Sequence, residues 1–342
     1  MIGVGGIGAG TFFAVSGNAA ISREESRGGR FLDRRDYCKL HIISHYVKAL
    51  AGPEFAVVPV GKVGDDDVGR RLLGEMAEAG LDMRYVEVSP ADSTLFSFCF
   101  VYPDGSGGNL TTNDAACSRV DPEFVARAQG EFEQFRGAGI ALAAPEAPIP
   151  AREALIRLGT KHGFLRAASF TTEEIAWAVE SGILNEIDLL AINRDEAGAV
   201  LGGASEGDVQ RVVTDAAAKL AGINPRLMVT VTAGALGSWS WDGSNLRHLP
   251  ACKVEPVSTA GAGDAHFAGV LVGLGGGNAA IAGAPAGGAG RGDVGHLAAH
   301  DRQADRPGVA GRLRIEQAVI PNAVRNLLFP SPPESRFLAS SE

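Results

Sequence analysis

Short apolar runs alternate with longer segments of helical apolar spacing along most of this chain, and that alternation permits few folds. EFAVVPVG (54–61), YVEV (85–88), GIALAA (139–144), DLLAIN (188–193) and RLMVTVT (226–232) read as strands. DYCKLHIISHYVKAL (36–50), VGRRLLGEMAEAG (68–80, closed by Gly80) and segments near 122–135, 150–162, 172–181 and 207–221 read as helices. Residues 1–5 form a further short strand that runs into a glycine turn. STLFSFCFVYPDGSGGNLTTN (93–113) and GSWSWDGSNLRHLP (237–250) carry the turn residues and alternation of β-hairpins. The predicted class is α/β, a mainly parallel central sheet with helices on both faces. Ligands of such sheets gather at the carboxyl ends of the strands, where this chain keeps its glycines.

Charge and cysteine usage narrow the function. A net charge of −9 over 342 residues argues against a general nucleic-acid binder, which needs a basic face. Cys38, Cys99, Cys117 and Cys252 are scattered with no CxxC pair, so a reduced, cytoplasmic setting is expected. The opening MIGVGGIGAG lacks the basic region of a signal peptide, and no apolar run reaches the roughly 18 residues of a membrane span.

The chemistry is concentrated in VSTAGAGDAHFAG (257–269). Thr259, Ala260, Gly261, Ala262 and Gly263 are small and stand where a helix begins, leaving successive backbone N–H groups uncovered. With the helix dipole these form an anion hole. Asp264, in the first turn, is placed to take a proton from a hydroxyl beside that hole. The pairing suits phosphoryl transfer, in which the protein positions groups and neutralises charge. The same residues also serve an ordinary capped helix start. Three further stretches favour the chemical reading. VTVTAGALGSWSW (229–241) runs a strand into Thr232-x-Gly234-x-x-Gly237, a turn whose backbone can approach phosphates. LLAINRDEAGAVLG (189–202) puts Asn193 at a strand end and Glu196 three residues on, both oxygen donors toward a metal–phosphate unit, directly or through water. In VGKVGDDDVG (60–69), Asp65, Asp66 and Asp67 read as a turn and helix cap.

The order and spacing of GKVGDDDVG, NRDE, VTAGALG and STAGAGDAHFAG resemble the ribokinase (PfkB) family of sugar and nucleoside kinases, over about residues 1–274. The resemblance implies a ribokinase-like three-layer domain with a small β-sheet lid, supplied by residues 11–24 and 94–113. It implies ATP- and Mg²⁺-dependent phosphorylation of a primary hydroxyl on a sugar-like or nucleoside-like molecule. By it, Asp264 is the general base, and Gly261, Ala262 and Gly263 form the anion hole. Asn193 and Glu196 organise Mg²⁺, through water, and the phosphates, while Thr232, Gly234 and Gly237 line the nucleotide site. LFSFCFVY (95–102) shows apolar residues on both faces, so one face is expected to cover the substrate and the other to join a homodimer through the lid.

Departures from the family pattern leave the substrate open. Family members carry an Asp in the loop leaving the first strand, which grips substrate hydroxyls; here the loop reads GIGAGTFF. A Gly-Gly pair followed by Asn at the next helix start is replaced by RRDYCKLH. Asp36, Lys39 and His41 are the substitutes that position suggests, with Asn109 from the hairpin. Ser258 stands where an Asp often helps hold a monovalent cation, so potassium activation is not expected. These departures give the alternative, a ligand-binding or regulatory protein on the kinase fold that does not turn over. Gly3-x-Gly5-x-x-Gly8 matches a dinucleotide fingerprint, but no acidic residue closes a second strand about twenty residues on. His41 and His45 share a helix face without a third metal ligand, and Trp239 and Trp241 alternate in a hairpin as core or lid residues. Beyond FAGVLVGL, the Gly/Ala-rich stretch 275–311 and the remainder to 342 lack amphipathic pattern, as a frame-shifted or disordered end would.

Overall fold

The computed structural model describes residues 1–104, 107–203, 207–252 and 261–275, with the backbone alone for 33–35. The expectations for the tail, apart from Gly275, and for Ser258 lie outside the described residues. The chain opens with β1 (Ile2–Val4), leaves through Gly5, Gly6 and Ile7, and forms the antiparallel pair β2 (Gly8–Val15) and β3 (Gly29–Tyr37). Then come α1 (Lys39–Ala51), β4 (Val58–Gly64), α2 (Asp67–Glu78), β5 (Val86–Ser89) and the hairpin β6 (Leu95–Val101) and β7 (Gly107–Thr111). Helices α3 (Pro122–Ala126) and α4 (Gln129–Gln134) precede β8 (Ile140–Ala143), α5 (Ile149–His162), β9 (Leu165–Ser169) and α6 (Thr172–Glu180). The last elements are β10 (Leu189–Asn193), α7 (Arg194–Val200), α8 (Val209–Ile223), β11 (Met228–Thr232), the hairpin β12 (Ser238–Trp241) and β13 (Leu246–Leu249), and α9 (Ala262–Gly275).

Two sheets result. The larger has the order β13-β12-β11-β10-β9-β8-β1-β4-β5, parallel from β11 to β5 with an antiparallel hairpin at one edge. Alternation along its strands sends side chains to opposite faces. Ile140 and Leu142 meet Leu40, Ile43 and Val47 of α1 and Phe267, Val270 and Leu271 of α9. Ile2, Val4 and Ala141 face Phe124, Phe132 and Leu155 on the other side. Buried apolar residues on both faces are what a parallel sheet covered by helices requires, and the expected α/β class is borne out. The chain winds from β1 toward β4 in one direction and reaches β8 in the other, so the switch point lies at β1 and β8. The smaller sheet has the order β3-β2-β6-β7, with β2 and β6 parallel.

Several expected boundaries move. The helix expected from 36 starts at Lys39, because residues 29–37 form β3, a strand whose GRFLDRRDY lacks clean alternation and whose pairing shifts register between Thr11 and Phe12. The strand expected at 54–61 is β4, a few residues later. The single helix expected near 122–135 divides into α3 and α4. Strand β9 was not expected; its Arg166 is held by Asp188, with Nη2 2.6 Å from Oδ1, a polar residue in a run that pattern alone does not mark. Trp239 is buried in the core.

Asp66 is the N-cap of α2, as expected, and does more. Its Oδ1 accepts the Gly69 N–H at 2.7 Å, and its carboxylate accepts the Thr94 N–H and hydroxyl, each at 2.7 Å, at the entry to the lid hairpin. Burial acts to raise its pKa, but the bonds from Thr94 and Gly69 outweigh it and hold the carboxyl below its ordinary value. Asp66→Ala is expected to lower stability by about 2–4 kcal/mol, a lost cap plus an unsatisfied Thr94 N–H. A depressed folded pKa gives stability present above the unfolded pKa and lost as pH falls through the folded value. The gap between variant and wild type in urea denaturation should therefore narrow in acid; a constant gap from neutral to acid pH would refute this role.

Candidate active site

The carboxyl ends of β1, β8, β10 and β11 open on one side of the sheet, and the N-termini of α1 and α9 point into the same region. Gly261 stands at φ 72°, in the left-handed region that favours glycine, and turns the chain into α9. The Ala265 N–H closes the first turn on the Gly261 carbonyl at 2.9 Å. The N–H groups ahead of it have no partner within the helix, and Ala262 and Gly263 are exposed residues. A Cβ on Gly263 would lie 3.8 Å from the Thr232 hydroxyl, so Thr232 borders the same opening from the end of β11. Below it, His266 Nε2 lies 2.7 Å from Thr230 Oγ1 and ties α9 to β11. Burial lowers the His266 pKa, so this tie is made by a neutral imidazole.

Asp264 sits beside this opening with 18% of its side chain exposed, its Oδ1 3.9 Å from the Lys39 ammonium. Burial pushes the Asp264 carboxyl above its ordinary value; Lys39 opposes the shift and the charge of Asp36 adds to it. Burial works to lower Lys39, but Asp264, Glu146 and Glu196 outweigh it and keep the side chain an ammonium. Lys39 is therefore the shared counter-charge of three carboxylates.

Glu146 was not singled out from the sequence. It follows β8 with φ 71°, a left-handed conformation uncommon outside glycine, and its Oε2 accepts the Lys39 N–H at 3.1 Å. A Cβ on Gly6 would run into the Glu146 side chain, so the glycine turn after β1 is what admits this carboxylate. Burial raises the Glu146 pKa, against Lys39. An acidic residue directly after an expected strand of a parallel sheet was the available signal.

Of the predicted site residues, Asp264, Gly261, Ala262, Gly263, Thr232, Lys39 and Glu196 come together. Gly237, at φ 94°, turns β11 into β12, where any Cβ would meet the Leu249 carbonyl; Gly234 sits in the same turn at φ 54°. Asn193 and Glu196 form a capping box on α7. Asn193 Oδ1 accepts the N–H groups of Asp195 (2.8 Å) and Glu196 (2.9 Å), and Glu196 Oε2 accepts the Asn193 N–H at 2.7 Å. Burial raises the Glu196 pKa, and its charge reaches both Lys39 and Asp264. The oxygens engaged in the box are not offered directly to a metal. Among the described residues no group of three His, Cys, Asp or Glu gathers to hold a metal.

His41 is not part of the site. Lys39 and Tyr46 lie on the face of α1 toward Asp264; burial raises the Tyr46 pKa and the charge of Asp264 adds to the shift. The buried His41 ring packs instead on Tyr37 and stacks on His45 at 4.3 Å, toward Arg71 of α2. Asp36 lies on β3 opposite Gly10, and Asn109 on β7 opposite Cys99, both on the lid. The dinucleotide fingerprint also fails, because Gly8 opens a strand and not a helix. All four cysteines are free. Among the described residues no helix is long and apolar enough to cross a membrane.

Comparison with known proteins bears on the family and the fold. The profile described as pfkB family carbohydrate kinase matches residues 46–280. A ribokinase of Staphylococcus aureus is 26% identical over 214 residues, covering 62% of this chain and 66% of that protein. An ATP-dependent ribose-1-phosphate kinase of Halopiger xanaduensis is 29% identical over 224 residues, covering 65% of this chain and 69% of that protein. This chain thus spans about two thirds of the length of these relatives. The crystal structure of a ribokinase from Cryptococcus neoformans in complex with ADP shares the fold, with a TM-score of 0.67 and 18% identity, over 81% of this chain and 88% of that one.

Proposed function

The chain belongs to the pfkB family of carbohydrate kinases, and from that premise we propose that it transfers the γ-phosphoryl group of ATP to a primary hydroxyl of a sugar-like or nucleoside-like molecule. The observation that carries the reading is Asp264, a largely buried carboxylate in the first turn of α9, 3.9 Å from the Lys39 ammonium, with burial raising its pKa. Asp264 accepts the proton of the attacking hydroxyl. The hydroxyl oxygen bonds to the γ-phosphorus as the bond to the β–γ bridging oxygen breaks, and ADP leaves with that oxygen. The N–H groups of Gly261, Ala262 and Gly263, with Lys39, take up charge on the moving phosphoryl. Thr232, Gly234 and Gly237 line the nucleotide side. Mg²⁺ neutralises phosphate charge when bound, and Asn193 and Glu196 would hold it through water.

A coupled ADP-release assay over pentoses, hexoses and nucleosides tests the reading. Turnover with one of them is expected; binding of a member of the panel without ADP release would favour the non-catalytic alternative.

The outer face of the lid is proposed to join a second copy of this chain. Phe13, Phe31 and Phe98 cluster there, with ring centroids 5.1 Å apart for Phe13 and Phe31 and 5.8 Å for Phe13 and Phe98. Phe31 and Leu110 are each 65% exposed, an apolar patch that a lone lid leaves in water. Light scattering should give twice the 35.3 kDa chain mass, and Phe31→Glu should halve it. A wild-type monomer at working concentration would end the proposal.

A further inference from the structure

The inner face of the lid carries a carboxylate in an unexpected place. Gly10 of β2 and Asp36 of β3 oppose each other directly, so a side chain at position 10 and that of Asp36 would project to the same face. A Cβ on Gly10 would lie 2.9 Å from Asp36 Cβ and 2.8 Å from the Ser97 carbonyl. The space above Gly10 is therefore already taken, and Asp36 occupies it. Cys99 of β6 donates its thiol to Asp36 Oδ2 at 3.3 Å, which fixes the carboxylate from the adjoining strand. On the same face, the Ser97 and Thr111 hydroxyls lie 3.0 Å apart, and the Thr111 hydroxyl donates to Asn109 Oδ1 at 3.3 Å. Phe12 and Leu95 share this face with these polar groups, whereas the opposite face carries the cluster of Phe13, Phe31 and Phe98. Asp36 is half-buried and close enough to Asp264 for its charge to act there.

We infer that Asp36, delivered across Gly10, is the group that receives hydroxyls of the acceptor adjacent to the one phosphorylated, and that the acceptor is an uncharged polyol and not a sugar phosphate. The first half follows from the chemistry of the group. An ionised carboxylate is acceptor-only, and its two oxygens suit a pair of neighbouring hydroxyl donors. The second half follows from charge. The Lys39 ammonium lies 3.9 Å from Asp264 and the Lys39 N–H donates to Glu146 at 3.1 Å, while the charge of Glu196 reaches Lys39 and that of Asp36 reaches Asp264. A phosphate ester on the acceptor would bring further negative charge into that half-buried cluster.

The inference rests on the kinase reading above, and direct binding separates the two. Calorimetry with ribose, adenosine and ribose 5-phosphate should show binding of a neutral compound and none of the phosphate ester. Asp36→Asn should weaken neutral-polyol binding about ten- to hundredfold, the worth of hydrogen bonds to a charged acceptor, with ADP affinity within about twofold. Asp36→Glu keeps a carboxylate on the same strand and should lose less than Asp36→Asn. Wild-type affinity in Asp36→Asn, tighter binding of the phosphate ester than of ribose, or no binding of any neutral polyol would overturn the inference. Normal polyol binding without ADP release would instead overturn the kinase reading and leave the assignment of Asp36 standing.

Discussion

Replacement of Asp264 by asparagine is expected to lower kcat by about 10²–10⁴-fold while ADP binding stays within about twofold of wild type. Asparagine keeps the size of the side chain and removes the basic oxygen. On the proposed assignment the nucleotide side is built from β11 and its turn, which Asp264 does not enter, so binding should survive. The wild-type pH profile carries a second signature. Because burial pushes the Asp264 carboxyl above its ordinary value, the acid limb of kcat/KM should lie above the usual carboxylate range. Steady-state kinetics with matched ADP titrations measures both, and near-normal turnover in Asp264→Asn would remove Asp264 from the role of base.

Lys39→Met should be nearly as damaging, with kcat down by about 10²–10³-fold, the scale of losing one stabiliser of developing charge. It should also move the acid limb upward, since Lys39 is what opposes the rise of the Asp264 pKa. The effect on folding has a definite sign. Asp264, Glu146 and Glu196 all have folded pKa values raised above the unfolded ones. Such groups bind protons more readily in the folded state, so stability falls as pH rises through the folded values. Without Lys39 that fall is steeper. The Tm deficit of the variant should be larger near pH 8 than near pH 5, and a deficit independent of pH would contradict the role of Lys39 as shared counter-charge.

Much of this could be read from residues alone, for reasons that differ by element. The main strands were legible because both faces are buried, so DLLAIN and RLMVTVT are nearly continuous apolar runs. The start of α9 was legible because few sequences place small residues and one aspartate at a helix N-terminus. β3 was not, because a lid strand with one face toward a polar site and the other toward solvent has no need of apolar alternation. Glu146 was missed since its conformation is imposed by Gly6 and α1, which lie far from it in sequence. His41 was offered by position in the chain alone, and two residues along the helix from Lys39 turn its side chain most of the way to the other face.

The parallel pairing of β2 with β6 also bears on how the molecule comes into being. Gly8 aligns with Leu95, and between them the chain must build β3, α1, β4, α2 and β5. Closing so long a loop is entropically costly until the intervening elements have condensed. By contrast, β8, β9, β10, β11, β12 and β13 are neighbours in space in the order of the sequence, each pairing with the strand that follows it. The half of the molecule assigned above to the nucleotide can thus form from encounters between successive strands, and the lid is expected to close onto it later in folding.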